Sequence, residues 1–164
     1  MKKLPPKALK YLKILHLFCT IMWVGGALAM LMVLGFTHPT SPEACHIRSL
    51  CAQKIDDFLI IPGAIAITFT GVVYGFWTNW GFFKHRWLTV KWVLTIAMIL
   101  MGTFVIGPWV NGNVHALENI ENYTIHHETF ARNVAQTIRW GTIQTLGLLF
   151  LVWISVTKPW TKKK

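Results

Sequence analysis

The stretch LHLFCTIMWVGGALAMLMVLGF, residues 15–36, carries no charged side chain other than His16, which can be neutral. A helix needs about 20 apolar residues to cross a bilayer, so this stretch predicts a membrane-spanning helix. Three further blocks contain no aspartate, glutamate, lysine or arginine and are of similar length: 58–83, 92–117 and 140–157. The chain is therefore expected to cross a membrane four times, at about 11–36, 58–80, 87–109 and 135–157.

Composition agrees with a membrane protein built as one domain over 1–164. Hydrophobic residues make up 54% of the chain and charged residues 13%, against about 25% charged residues in soluble domains. The connections between the first three spans are short, which predicts an all-α, antiparallel four-helix bundle with up-down-up-down topology. Residues 111–133 form the longest polar segment and are expected to be a loop on the outer side.

The net charge of +10 is distributed unevenly along the chain. Lysines and arginines concentrate at the two termini and at 84–86, whereas the acidic residues lie in the other two connections. By the positive-inside rule, both termini face the cytoplasm and the protein lies in the inner (cytoplasmic) membrane. The basic residues are expected to contact anionic lipid, and no nucleic-acid partner is expected.

Two ionisable residues stand inside the predicted spans, His16 in the first and Lys91 in the third. His16 lies about 4.5 Å beyond Lys13 along its helix, and Lys91 about 7.5 Å beyond Arg86, so both are at similar depth. Trp23 shares the helix face of His16. Because ionisable residues inside a membrane are costly, we expect both to face the bundle interior and to mark a functional site.

Neutral imidazole is a good ligand for haem iron, and four-helix bundles commonly hold haem. A desolvated lysine such as Lys91 could be a second ligand, a proton-transfer group or a partner for an anionic substrate. Gly25 and Gly26 would leave room for a flat macrocycle. In the alternative interpretation, Lys91 extends to the interface and His16 hydrogen-bonds a carbonyl group, without a cofactor.

Three short motifs resemble two related groups of four-span membrane proteins. The motifs are Ala8-Leu9 followed by Leu15-His16 and Trp23-Val24-Gly25-Gly26, then Ile61-Pro62-Gly63-Ala64 with Gly71, and lastly Arg86-Trp87-Leu88 with Val90-Lys91 and Leu94. They are similar to the HemJ-type protoporphyrinogen oxidases and to the copper-resistance D (CopD) domain proteins. The resemblance implies that His16 is an axial ligand of haem b and that Lys91 is a second ligand or a catalytic group. It would make the chain an oxidoreductase of the protoporphyrinogen oxidase type.

The outer side carries further candidate ligands for copper, zinc or a second haem. His115, just beyond the third span, is the best single metal candidate, and the other outer histidines are His38, His46, His126 and His127. Cys45, Glu118, Glu121 and Glu128 lie in the same region. Arg139 is expected either to pair with Asp56 and Asp57 or to contact a haem propionate.

Three functions follow from these patterns. The first is a haem b redox protein that uses a quinone, a porphyrin or another electron-transfer partner. The second is a CopD-like protein for copper transport or metal handling, and the third is a structural subunit of a membrane complex. The sequence leaves open whether the protein forms a homodimer.

Overall fold

The computed structural model describes residues 3–78, 81–116 and 123–160. Within these ranges every regular element is helical. The α-helices are α1 (Pro6–Phe36), α2 (Pro42–Ile55), α3 (Ile61–Trp77), α4 (Arg86–Met101), α5 (Gly107–Ala116) and α6 (Tyr123–Thr157). One π-helical turn, Asp56–Ile60, joins α2 to α3, and a second, Gly102–Ile106, joins α4 to α5. The chain therefore forms four long rods.

The four rods confirm the predicted membrane bundle. Each contains a helix long and apolar enough to cross a bilayer, namely Pro6–Phe36, Pro42–Trp77, Arg86–Ala116 and Glu128–Thr157. Neighbouring rods run antiparallel: Leu4, just before α1, hydrogen-bonds Trp77 at the end of α3, with an N–O distance of 3.1 Å. Lys91 near the start of α4 and Ser155 near the end of α6 line one cavity with His16 of α1. Both described ends of the chain thus lie at one end of the bundle, here called the terminal end; the other is the loop end.

The interior is lined by one stripe of each rod. On α1 the buried residues Trp23, Ala27, Met30 and Leu34 recur at steps of three or four, which is the spacing of one helical face. The opposite face exposes aliphatic side chains such as Ile21, which is 68% exposed. Apolar residues on both faces are expected of a helix that packs inward on protein and outward on lipid.

α1 and the second rod approach closely through two glycines. A Cβ atom on Gly26 would lie 2.9 Å from Ile60 Cγ1 and from Leu59 Cβ, and one on Gly63 would lie 2.8 Å from the backbone nitrogen of Trp23. Small residues at such crossings let helix backbones meet in a membrane. Gly25 has nothing within 4 Å of its Cβ position. Hence Gly26 is used for helix packing, and Gly25 lies on an open face.

Each π-helical turn ends two positions before a proline, Pro62 or Pro108. The third span was predicted to end at about 109, but the helix continues through Pro108 to Ala116. A proline in an α-helix clashes with the carbonyl group four residues earlier. A π-helical turn contains one extra residue and relieves this clash; its hydrogen bond runs to the fifth residue back, from Gly107 N–H to Gly102 O. Ile61, before Pro62, bonds to Asp56 O in the same way.

The predicted outer loop over 111–133 is also wrong for most of its length. α5 covers 111–116 and α6 begins at Tyr123, twelve positions before the predicted start at 135. Polar residues can remain helical where the end of a membrane helix extends into water. Glu118 and Glu121 lie outside the described residues, as do the side chains of His126 and His127.

Candidate functional site

A cavity of about 110 Å³ lies inside the terminal half of the bundle, and all four rods contribute to its wall. α1 supplies His16, Thr20 and Trp23, while α4 supplies Lys91. The remaining wall is mostly aliphatic, from Ile67 of α3 and from α6. The structure therefore brings His16, Trp23 and Lys91 to one interior space.

The imidazole of His16 is held by a hydrogen bond between its Nδ1 and Thr70 Oγ1, 2.7 Å away on α3. The Thr70 hydroxyl has one proton, and it also lies 2.9 Å from the carbonyl oxygen of Ala66 and 3.0 Å from that of Ile67. All three contacts are hydrogen bonds when Thr70 donates to its own helix and His16 Nδ1–H donates to Thr70 Oγ1, because a carbonyl can only accept. In this tautomer the proton is on Nδ1, and Nε2 keeps an unshared lone pair.

Such an arrangement suits a metal ligand. Ligating histidines usually donate their second ring nitrogen to a protein oxygen, which fixes both the tautomer and the ring orientation. Tyr74, one turn after Thr70, adds an edge-to-face contact with the His16 ring at a centroid separation of 5.5 Å. The ring is thus fixed from two sides by α3.

Lys91 lines the same cavity as His16, and its amine can carry a positive charge there. Within the described part of the chain the one ion pair joins Lys54 to Asp57, so no described carboxylate compensates Lys91. The hydroxyls of Thr20 and Ser155 donate to carbonyls of their own helices, at 2.8 and 2.7 Å. The cavity is therefore an apolar space with an imidazole and an uncompensated cation, which favours an apolar ligand with an acidic group.

The space is smaller than a complete tetrapyrrole requires. Pockets for drug-sized ligands measure about 300–1,000 Å³, whereas this cavity has about 110 Å³. Its wall includes lipid-facing side chains on α1 and α6: Leu17 is 51% exposed and Val156 is 76% exposed. The donor set fits haem iron, and the volume fits the ring only if these side chains move aside towards lipid.

The other predicted site residues lie elsewhere. Arg139 is exposed on α6, about 13 Å along the helix from Leu148 in the cavity wall. It forms no ion pair with Asp56 or Asp57, since Asp57 pairs with Lys54 at 3.7 Å. His115 is exposed at the end of α5, and the described residues contain no group of three or more histidine, cysteine, aspartate or glutamate side chains that could hold a metal.

Sequence reasoning missed Thr70. It lies in the apolar block 58–83, where a threonine can simply donate to its own helix. A signal was nevertheless present, because Gly63, Ile67, Thr70 and Tyr74 recur at steps of four, three and four and so share one face of the second span. Gly63 on that face indicates contact with another helix. Thr70 on the same face indicates that the neighbouring helix carries a polar group for it to contact.

Comparison with protein families gives one match. Residues 10–159 match the family described as predicted integral membrane protein (DUF2269). The match extends over all four rods and supports a membrane family, without support for the HemJ or CopD groups in particular. No curated protein and no solved structure matches the chain.

Proposed function

Since the chain belongs to the DUF2269 family of predicted integral membrane proteins, we propose that its functional centre is the interior cavity and that it binds haem b there. The observation that carries this proposal is the hydrogen bond between His16 Nδ1 and Thr70 Oγ1, beside a cavity shared with Lys91. With Nδ1 as the donor in that bond, Nε2 is available as a ligand. Neutral imidazole nitrogen held in this way is the usual protein ligand of haem iron.

In this proposal each residue has a separate task. His16 would hold the haem iron and Thr70 would orient the His16 ring. Lys91 would balance an acidic group of the ligand or serve as a second ligand, and Trp23 would close the cavity on the side of the loop end. Bound haem supplies one-electron chemistry at the iron, and the protein supplies orientation and exclusion of water.

Entry from the lipid phase explains the small cavity volume. Leu17 and Val156 are the exposed parts of the wall, and aliphatic side chains that face lipid change rotamer at little cost. Haem, quinones and porphyrins all partition into bilayers, so a lateral opening between α1 and α6 suits this ligand class. By the positive-inside rule, the terminal end would face the cytoplasm.

Optical spectra test the proposal directly. The full-length protein would be purified from cells supplied with haem precursors, and reduced-minus-oxidised spectra recorded for wild type, His16→Ala and His38→Ala. His38 is exposed between α1 and α2 and serves as the matched control. We expect Soret and α bands in wild type and His38→Ala, with loss of bound haem in His16→Ala. A folded wild type without these bands, or equal bands in His16→Ala, would refute the proposal.

A further inference from the structure

The two π-helical turns meet at one level of the bundle, in the half nearer the loop end. Residues of both turns line a second cavity, Asp56 and Ile60 from one and Gly102 and Ile106 from the other. Gln144 of α6 completes its polar lining. π-helical turns are rare and are often found at functional sites, and here each also accommodates a proline.

Asp56 differs sharply from its neighbour Asp57. Asp57 is exposed and lies 3.7 Å from the ammonium group of Lys54. Asp56 is half-buried against the cavity and forms no ion pair within 3–78, 81–116 and 123–160. An ionised carboxylate is costly in apolar surroundings unless a cation or hydrogen-bond donors compensate it, and the neutral acid avoids that cost.

The groups that face Asp56 offer little compensation. α1 contributes only the apolar side chains of Ala27, Met30 and Leu31 to this cavity, and the third rod contributes Gly102 and Ile106. On its own rod, the charged neighbours are Lys54 and Asp57, which pair with each other. α6 contributes neutral Gln144, while Arg139, five residues earlier on that helix, is exposed.

Gln144 is fixed so that its amide can serve a second partner. The residue is 5% exposed, and its Nε2 donates to the carbonyl oxygen of Met98, 2.9 Å away. The absence of a side chain at Gly102 makes this possible, because a Cβ atom there would lie 2.9 Å from the same nitrogen. With Nε2 engaged on α4, the amide still has its carbonyl oxygen as an acceptor.

The cavity has the size of one water molecule. Its volume is about 20 Å³, just above the 10–15 Å³ that a water needs. A buried water also needs at least two polar partners, and the two residues with polar side chains that line this space are Asp56 and Gln144. The cavity is therefore large enough and polar enough to hold one water molecule.

We propose that Asp56, with one water and Gln144, forms a proton-binding site at the junction of the two π-helical turns. The reaction is the addition of one proton to the Asp56 carboxylate and its release, with no change of oxidation state. The site lies on the same face of α6 as the first cavity, since Gln144 and Leu148 are one turn apart. It requires no haem and is independent of the function proposed above.

Infrared difference spectroscopy of the purified full-length protein in lipid vesicles tests this site. A pH titration should show the carbonyl stretch of a protonated carboxyl group that disappears as the pH is raised. We expect the band to be lost in Asp56→Asn and retained in Asp57→Asn, which is the matched control. In D₂O the band should shift, because a water-connected carboxyl exchanges its proton.

A second variant keeps the test decisive if Asp56→Asn does not fold. Gln144→Leu is similar in volume and removes the amide, so the carboxyl band should move to the higher frequency of a more weakly hydrogen-bonded acid. Absence of a titrating carboxyl band in wild type would overturn the proposal. So would a band that is lost in Asp57→Asn, that does not respond to D₂O, or that is unchanged in Gln144→Leu.

Discussion

Replacing Gly63 with alanine should destabilise the bundle and disturb the His16 cavity together. The added Cβ atom would lie 2.8 Å from the backbone nitrogen of Trp23 and 3.1 Å from its Cα. Backbone atoms cannot rotate away as a side-chain end can, so α1 and α3 must move apart. Trp23 lines the cavity, and its displacement changes the cavity's shape.

The size of the effect follows from two opposing terms. Overpacking a tight contact costs about 1–3 kcal/mol, and a contact with backbone belongs at the upper end, about 3 kcal/mol. Alanine also favours helix over glycine by about 1 kcal/mol, which offsets part of this cost. The net expectation for Gly63→Ala is a loss of roughly 2 kcal/mol.

Gly25→Ala is the matched control, because nothing lies within 4 Å of the Cβ position of Gly25. Only the helix-propensity term applies there, so this variant should gain up to about 1 kcal/mol. Unfolding by sodium dodecyl sulfate in mixed micelles, followed by circular dichroism, measures both variants. The packing described between α1 and α3 is refuted if Gly63→Ala is as stable as wild type, or if Gly25→Ala loses as much stability as Gly63→Ala.

Three further substitutions, one of them with a control variant, separate packing from site chemistry. Thr70→Val keeps the side-chain shape but removes the acceptor of His16 Nδ1; it should cost about 1–3 kcal/mol of stability and weaken ligand binding measured by optical titration. Thr68→Val, whose hydroxyl bonds only its own helix, should leave binding unchanged, and equal binding in the two variants would contradict the role of Thr70. Lys91→Met should favour membrane insertion of its span in a translocon assay by at most about 3 kcal/mol, because Lys91 lies near the end of the span rather than at its centre. The variant should also bind an acidic ligand more weakly; a variant that binds as well as wild type would show that the cation is not used. Gly147→Ala should change unfolding stability by less than about 1 kcal/mol, since its Cβ would meet a methionine side chain that can move; a loss as large as that expected for Gly63→Ala would show that this methionine is rigidly held.

The four spans and much of their packing could be predicted from the sequence. Blocks without charged residues show where the chain crosses the membrane, because charged side chains are costly in lipid. The crossing segments are helical because every unsatisfied backbone group in lipid is costly as well. The order Ser41-Pro42-Glu43 is likewise typical of a helix start, and α2 begins there: Ser41 Oγ accepts a hydrogen bond from the backbone nitrogen of Ala44 at 3.2 Å. Local chemistry decides these features, so local sequence reveals them.

The path of the chain at its prolines could not be predicted in the same way. A proline inside an apolar block can end a helix, kink it or follow a π-helical turn. Packing against the other rods decides which occurs, and the sequence near Pro62 and Pro108 does not show that packing. For this reason the second cavity, at the junction of the two turns, had no signal in the sequence beyond the pair Asp56-Asp57.

The site was accessible from the sequence only in part. Equal depth predicted that His16 and Lys91 could face the same interior, and the structure places both at one cavity. Gly25 was assigned to a cofactor as a sequence neighbour of His16, and Arg139 was assigned either to a haem propionate or to Asp56 and Asp57, yet Gly25 faces open space and Arg139 is exposed away from the cavity. Helix rotation separates residues that are close in sequence, and it cannot be read without the packed neighbours.

Chemical rescue of a shortened residue 16 measures the central claim most directly. His16→Gly should lose the Soret and α bands of reduced haem, and free imidazole should restore them, because the cavity and the Thr70 acceptor remain. The same imidazole should have no effect on wild type or on His38→Gly. If His16→Gly keeps its bands without imidazole, or wild type never shows them, then His16 is not the ligand of a haem.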